Sequence, residues 1–139
     1  VHVFGEGWER LACKKPENIL RHGSRDSYGC LEAIAEAKIS LNVMPWFKDG
    51  AHDRVFNSCA NGALCLTDES IYLKEEMKNG EELLYYSLTD MEELPELARE
   101  MLANDEKRET IAAAGRSKTL RLHTWEARAK ALHRLMEEL

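Results

Sequence analysis

The chain has 139 residues, 44% hydrophobic and 32% charged, with three prolines and eight glycines. That length suits one domain able to bury roughly two thirds of its unfolded surface, and the composition argues against collagen-like, low-complexity and disordered classes. The net charge is −6, with acid concentrated between Glu69 and Glu100; this argues against the clustered basic face of a duplex-binding protein, so nucleic acid is not an expected partner.

Val1–Phe4 reads as a strand that opens without a methionine, as a piece of a longer chain would, and Gly5-Glu6-Gly7 turns at once. Asn18–His22 is a short second strand, and Ser27–Ala37 a helix with Leu31, Ile34 and Ala35 on one face. Lys38–Val43 is a third strand, followed by a loop through Lys48-Asp49-Gly50 and a helix from about Asp53 to Gly62. The continuous apolar run Ala63–Thr67 predicts a buried strand, and Asp68-Glu69-Ser70 introduces a short helix to about Lys78. Leu83–Tyr86 is a fifth strand, and Thr89-Asp90-Met91-Glu92 has the spacing of a capping box. Three helices finish the chain: Leu94–Asn104 with Leu97, Met101 and Leu102 on one stripe, Glu106–Lys118, and a last helix capped by Thr124. Trp125, Ala129, Leu132, Met136 and Leu139 give that last helix a narrow apolar seam. Strands alternating with helices predict an α/β domain, Rossmann-like, with a largely parallel sheet of about five strands, flanking helices and a C-terminal helical segment.

No apolar run approaches a membrane span, and no basic start leads into an apolar stretch as in a signal peptide. Cys13, Cys30, Cys59 and Cys65 form no CxxC pair and no metal-type spacing with the five histidines. They predict reduced core or boundary thiols, a cytoplasmic location and no metal site.

Ligands of open parallel sheets bind beyond the carboxyl ends of strands, which directs attention to the loops after Phe4, Val43 and Thr67. Gly5 and Gly7 begin like a dinucleotide fingerprint, but Arg10 stands where its third glycine would be; a tight turn and a phosphate cradle both fit. In the second loop Gly50, His52, Asp53, Arg54 and Asn57 lead into a helix. Arg54 in its first turn opposes the helix dipole by about 0.3–1 kcal/mol, which asks for a compensating anion: Asp49, Asp53 or a bound diphosphate. Asn57, one turn on, could meet a ribose hydroxyl or cap a carbonyl. Asp68 and Ser70 in the third loop fit helix capping or a ligand contact. His123 reads as a packing or capping group rather than a base, and no self-sufficient catalytic set is present.

Taken together, Lys38–Asn42, Gly50–Asn57, Gly62–Asp68, Gly115 and His123-Thr124-Trp125-Glu126-Ala127-Arg128-Ala129 resemble the C-terminal domain of GT-B glycosyltransferases, particularly the CgeB-like group. The resemblance covers nearly the whole chain. It implies a single nucleotide-sugar-binding domain over residues 1–139, facing an N-terminal domain that this sequence lacks. Because the terminal helix of such enzymes commonly returns toward that domain, the resemblance also implies a seam on the last helix that is only partly covered, with complete packing on the home sheet as the alternative. It further implies a nucleotide-diphosphate sugar as substrate, with no cofactor and no metal. Gly5, Gly7, Gly50, His52, Asp53, Arg54, Asn57, Asp68 and Ser70 become the donor-binding candidates. Many retaining relatives carry a glutamate at the position of Asn57, so the ribose contact carries over without the carboxylate and without the retaining mechanism. The catalytic residues, the acceptor and the sugar are not implied. The competing reading is a non-catalytic Rossmann-like ligand-binding or interaction module.

Overall fold

The computed structural model describes residues 1–10 and 17–138, which leaves Cys13 and Leu139 outside it. Five strands and six helices follow one another: β1 (His2–Val3), β2 (Leu20–Arg21), α1 (Ser27–Ala35), β3 (Ile39–Leu41), α2 (Asp53–Ala60), β4 (Leu64–Asp68), α3 (Ile71–Glu76), β5 (Leu84–Tyr86), α4 (Glu93–Ala103), α5 (Asp105–Leu122) and α6 (Trp125–Glu137). All described strand pairs are parallel. They are hydrogen-bonded as a pair, β1–β2, and a triplet, β3–β4–β5, rather than as one ladder. β1 stays short because Gly5 and Gly7 follow it with φ of 106° and 88°, which only glycine adopts freely.

The core is built around β4, all five residues of which are buried. Leu64 and Leu66 pack with Leu84, Tyr86, Met101, Ile111 and Ala112 on the α4/α5 side. Cys65 packs with Val55, Cys59, Leu73, Leu83 and Tyr85 on the α2/α3 side. Each large side chain so buried contributes about 1.5–3 kcal/mol, and covering on both faces accounts for the unbroken apolar run Leu64–Leu66, with polar Thr67 and Asp68 at its end. Gly62 ends α2 with φ 84° and lets the chain turn directly into β4. Gly115 permits the closest approach in the fold: a Cβ there would lie 2.1 Å from the carbonyl oxygen of Glu82 and 3.5 Å from Cys59 Sγ.

Several boundaries differ from the sequence reading. β3 ends at Leu41 because two residues beyond Asn42 the Met44 N–H turns to the Asp68 carboxylate, at 2.6 Å. Asp68 accordingly belongs to β4 and is not a cap of α3. The capping box does not form: α4 begins at Glu93 with no side-chain cap, and the Thr89 hydroxyl pairs with Ser87 Oγ at 2.8 Å. Leu102 is exposed, and Leu94, Leu97 and Ala98 join Met101 on the buried stripe instead. Asn104 caps α5 by accepting from the Lys107 N–H, so that helix starts at Asp105 and runs past Lys118 to Leu122. Cys59 and Cys65 are buried free thiols, whereas Cys30 is exposed; hydrogen bonding to Cys59 and burial push the Cys65 thiol up. Thr124 caps α6 as expected, accepting from the Ala127 N–H. The seam of α6 is open, with Leu132 60% and Met136 65% exposed. Among the described residues no helix is long and apolar enough to cross a membrane.

Candidate functional site

The carboxyl ends of β3 and β4 are tied together before any ligand enters. Besides its bond from Met44, the end of β4 is fixed through Thr67, whose Oγ1 accepts from Asn42 Nδ2 at 2.9 Å, while the Tyr86 hydroxyl donates to the Asn42 carbonyl at 2.8 Å. Burial, with the nearby Asp68 charge, pushes the Tyr86 hydroxyl up to about 12, so it remains a donor throughout the physiological range. Asn42 Oδ1 is buried without a protein partner. The Ile71 N–H donates to the Lys48 carbonyl at 3.0 Å and moors the loop after β3 to the start of α3. Ser70 caps α3 by accepting from the Leu73 N–H at 3.2 Å. Asp68 and Ser70 therefore both have architectural duties.

On this base stands the N-terminus of α2. Its N-cap is His52, an uncommon choice, whose backbone N–H reaches Met44 Sδ at 3.2 Å. His52 Nδ1 accepts the Arg54 N–H at 3.2 Å and also lies 2.5 Å from Asp53 Oδ1. One nitrogen cannot accept and donate together, so Nδ1 either accepts from the Arg54 N–H and caps the helix or carries the hydrogen that binds Asp53. Among the described residues the N–H groups of Gly50, Ala51 and Asp53 meet no protein acceptor. Arg54 is exposed and forms no ion pair with Asp49 or Asp53; its Nη2 donates a single long bond, 3.4 Å, to the Val43 carbonyl. The Asn57 side chain makes no hydrogen bond among the described residues, so the carbonyl-capping alternative is not realised. Three free amides, one unpaired guanidinium and an amide side chain thus gather at one helix end, with Phe47 edge-on to His52 at 5.8 Å.

Gly5 and Gly7 sit elsewhere in the hydrogen-bond pattern. They belong to the β1–β2 pair, where the Gly5 N–H donates to the Gly23 carbonyl at 3.3 Å, and no described hydrogen bond joins them to the α2 loop. Beside them His22 stacks on Phe4 at 4.6 Å, and the Arg25 guanidinium lies 4.7 Å over the same ring. This aromatic group went unread in the sequence because its members lie some twenty residues apart and meet only through strand pairing. Sequence reasoning pointed to the backbone N–H groups around Gly50 to Asp53 as partners of a diphosphate; which of them lack a protein acceptor is seen only in the loop conformation. Among the described residues no three His, Cys, Asp or Glu side chains cluster as metal ligands. A separate hollow of 250 Å³ at the amino ends of β3 and β4 is lined by Lys38, Gly62 and Arg108. Arg108 there is already engaged by the Met101 carbonyl and by Asp105 and Glu109.

A glycosyl transferase-like family model matches residues 1–134. The chain belongs to that family. No curated protein matches it. Among solved structures it is similar to Anabaena HepE bound to UDP, with a TM-score of 0.76 at 11% identity over 87% of this chain and 32% of that one. HepE with UDP-glucose gives 0.72 at 13% identity, over 88% and 33%. Sucrose-phosphate synthase from Thermosynechococcus elongatus gives 0.74 at 19% identity, over 88% and 30%. The chain therefore spans about a third of the length of these structures. At such identities the likeness establishes the fold, a Rossmann-like domain of the GT-B kind. The glycosyl transferase-like chain thus carries the free amides and Arg54 at a strand–loop–helix junction where such folds place ligands.

Proposed function

We propose that this domain binds the donor of a glycosyltransferase, holding a nucleotide-diphosphate sugar at the N-terminus of α2 for transfer to an acceptor bound by another part of a longer enzyme. The observation that carries this reading is Arg54, a cation in the first turn of a helix, exposed and without an acidic partner, beside three amides that lack acceptors. A cation there is unfavourable unless an anion joins it, and a diphosphate supplies that anion. Family membership and the UDP and UDP-glucose complexes of HepE support a nucleotide-sugar ligand. As the glycosidic bond breaks, charge grows on the leaving diphosphate, and Arg54 with the amides of Gly50, Ala51 and Asp53 would stabilise it without a metal or cofactor. Asn57 is assigned to the ribose, and Gly5 and Gly7 to close backbone approach of the ligand. His52, Asp68 and Ser70 support the loop that presents these groups. A cytoplasmic, CgeB-like glycosyltransferase is the form of the enzyme we favour.

The second reading, a binding module without catalysis, is favoured by Asn57, which puts an uncharged amide where many relatives have a carboxylate. Both readings have the isolated 139-residue chain transferring no sugar, because it spans only about a third of the length of the structures it is similar to. Calorimetric titration with UDP, uridine and inorganic pyrophosphate tests the site they share. We expect UDP to bind, pyrophosphate to bind more weakly and uridine alone to bind weakest. Equal binding of uridine and UDP would remove the diphosphate from the site.

A further inference from the structure

We propose that His123 is a positioning residue for this site: one buried imidazole joins α6, α3 and α2, and so fixes how α2 presents Arg54 and Asn57. The inference rests on the donor reading above. The His123 side chain is 1% exposed and stands at the α5–α6 junction. Its ring stacks on Phe56 of α2, with centroids 4.6 Å apart and planes 21° from parallel. Nδ1 lies 2.8 Å from Arg128 Nη2. A guanidinium only donates, so Nδ1 is the acceptor and the proton sits on Nε2. Nε2 faces Glu76 Oε2 of α3 at 3.5 Å, longer than a normal hydrogen bond. Arg128 in turn donates to the Tyr72 hydroxyl and lies 5.9 Å over the Tyr72 ring.

Two features make this contact decisive. α6 has no buried residue of its own, and Arg128 ties it to His123 and Tyr72. α2 is eight residues long, too short to be stable alone, and its rotation about its axis is set by what packs on it. Phe56 lies between Val55, which is buried in the core, and Asn57. A ring stacked on Phe56 therefore adds a lateral support to the rotation that buried Val55, Ser58 and Cys59 give α2, and so to the face that carries Arg54 and Asn57. The charged groups facing His123 are Arg128 from α6, Glu76 from α3, Lys118 from α5 and Glu82 from the segment before β5. Burial, followed by the Arg128 charge, lowers the His123 pKa from its usual value, so the ring is neutral at neutral pH. Protonation of Nδ1 removes the acceptor and sets a cation against Arg128.

The test uses His123→Phe, which keeps a flat ring on Phe56 but no acceptor, and His123→Asn, which keeps an acceptor at the Nδ1 position. Arg128→Met, at an exposed position, cuts the same contact without touching the core. Amide exchange protection of α2 and α6 is read without ligand between about pH 8 and pH 5, and UDP affinity at about pH 8. In the wild-type chain α6 protection should fall as the pH drops below the ordinary histidine value. At the upper pH, His123→Phe and Arg128→Met should lower α6 protection by at least about tenfold, and His123→Phe should no longer respond to pH in that helix. His123→Asn should restore protection to α6 but not to α2. UDP binding should weaken by about fivefold in His123→Asn, which leaves no ring on Phe56, and stay near the wild-type value in His123→Phe. Wild-type protection of α6 in both His123→Phe and Arg128→Met, wild-type protection of α2 in His123→Asn, or an unchanged pH response in His123→Phe would overturn the proposal. If wild-type protein binds no UDP, the donor reading fails, and the exchange of α2 amides then decides the positioning role alone.

Discussion

Replacing Arg54 with alanine separates a ligand-binding cation from a structural one, because the two roles change stability and affinity in opposite ways. In the free protein the side chain is exposed and, among the described residues, holds only the 3.4 Å bond to the Val43 carbonyl and no ion pair. Its charge opposes the dipole of α2 by about 0.3–1 kcal/mol. Losing a long, solvent-exposed hydrogen bond and relieving that opposition should nearly cancel, so the melting temperature should stay level or rise slightly. In the nucleotide complex the guanidinium would make one or two charge-assisted hydrogen bonds, each worth about 1.5–3 kcal/mol. Losing one such contact corresponds to a weakening of about 10- to 150-fold. Calorimetric titration of the variant with UDP and with pyrophosphate, beside a thermal melt, measures both quantities. The weakening should appear for both ligands, because both present a diphosphate. Unchanged affinities together with a clear loss of melting temperature would refute the reasoning and make Arg54 part of the loop's architecture.

Asn57→Ala should weaken UDP by about fivefold to tenfold, the value of one neutral hydrogen bond, while leaving pyrophosphate unchanged; titration with both ligands checks the ribose assignment. Gly115→Ala sets helix propensity, worth about 1 kcal/mol in its favour, against a Cβ placed 2.1 Å from the Glu82 carbonyl oxygen. The clash should win, with a net loss of about 2–3 kcal/mol by urea unfolding. Asp68→Ala leaves the Met44 N–H without its acceptor, which should cost about 1–3 kcal/mol by the same assay. Glu82 predicts an acid limit: burial pushes its carboxyl up, but Lys118, at 2.8 Å, and the Lys78 N–H outweigh that and hold it below the usual glutamate value. A depressed folded value means the stabilisation is complete above the unfolded glutamate pKa and disappears as pH falls through the folded one. Unfolding curves should therefore lose stability below about pH 4.5, and Glu82→Gln should flatten that loss.

Much of the fold was legible because its main elements carry strong local signals. The apolar run Ala63–Thr67 read as a buried strand, Gly62 marked the end of α2, and the four-three spacing from Trp125 marked α6. The open seam of that helix was also anticipated. Boundaries failed where a distant side chain intervened. Asp68 ends β3 by claiming Met44 N–H from the next strand over, and Ser87 takes the Thr89 hydroxyl that would have made the capping box. The site was legible as composition: Arg54 in a helix's first turn posed a charge problem that the sequence alone could state. How it is answered depends on geometry, since Asp53 turns to His52 and leaves Arg54 free. The His123 contact was invisible for the same reason, because Phe56, Tyr72, Glu76 and Arg128 are joined only by packing.

The central claim is that a diphosphate sits at the N-terminus of α2, and a crystal structure of the chain soaked with UDP tests it most directly. The account predicts phosphate oxygens within hydrogen-bond distance of the amides of Gly50, Ala51 or Asp53 and of the Arg54 guanidinium, with the ribose on the Asn57 side. A diphosphate bound instead in the hollow lined by Lys38 and Arg108, at the opposite end of the strands, would contradict it.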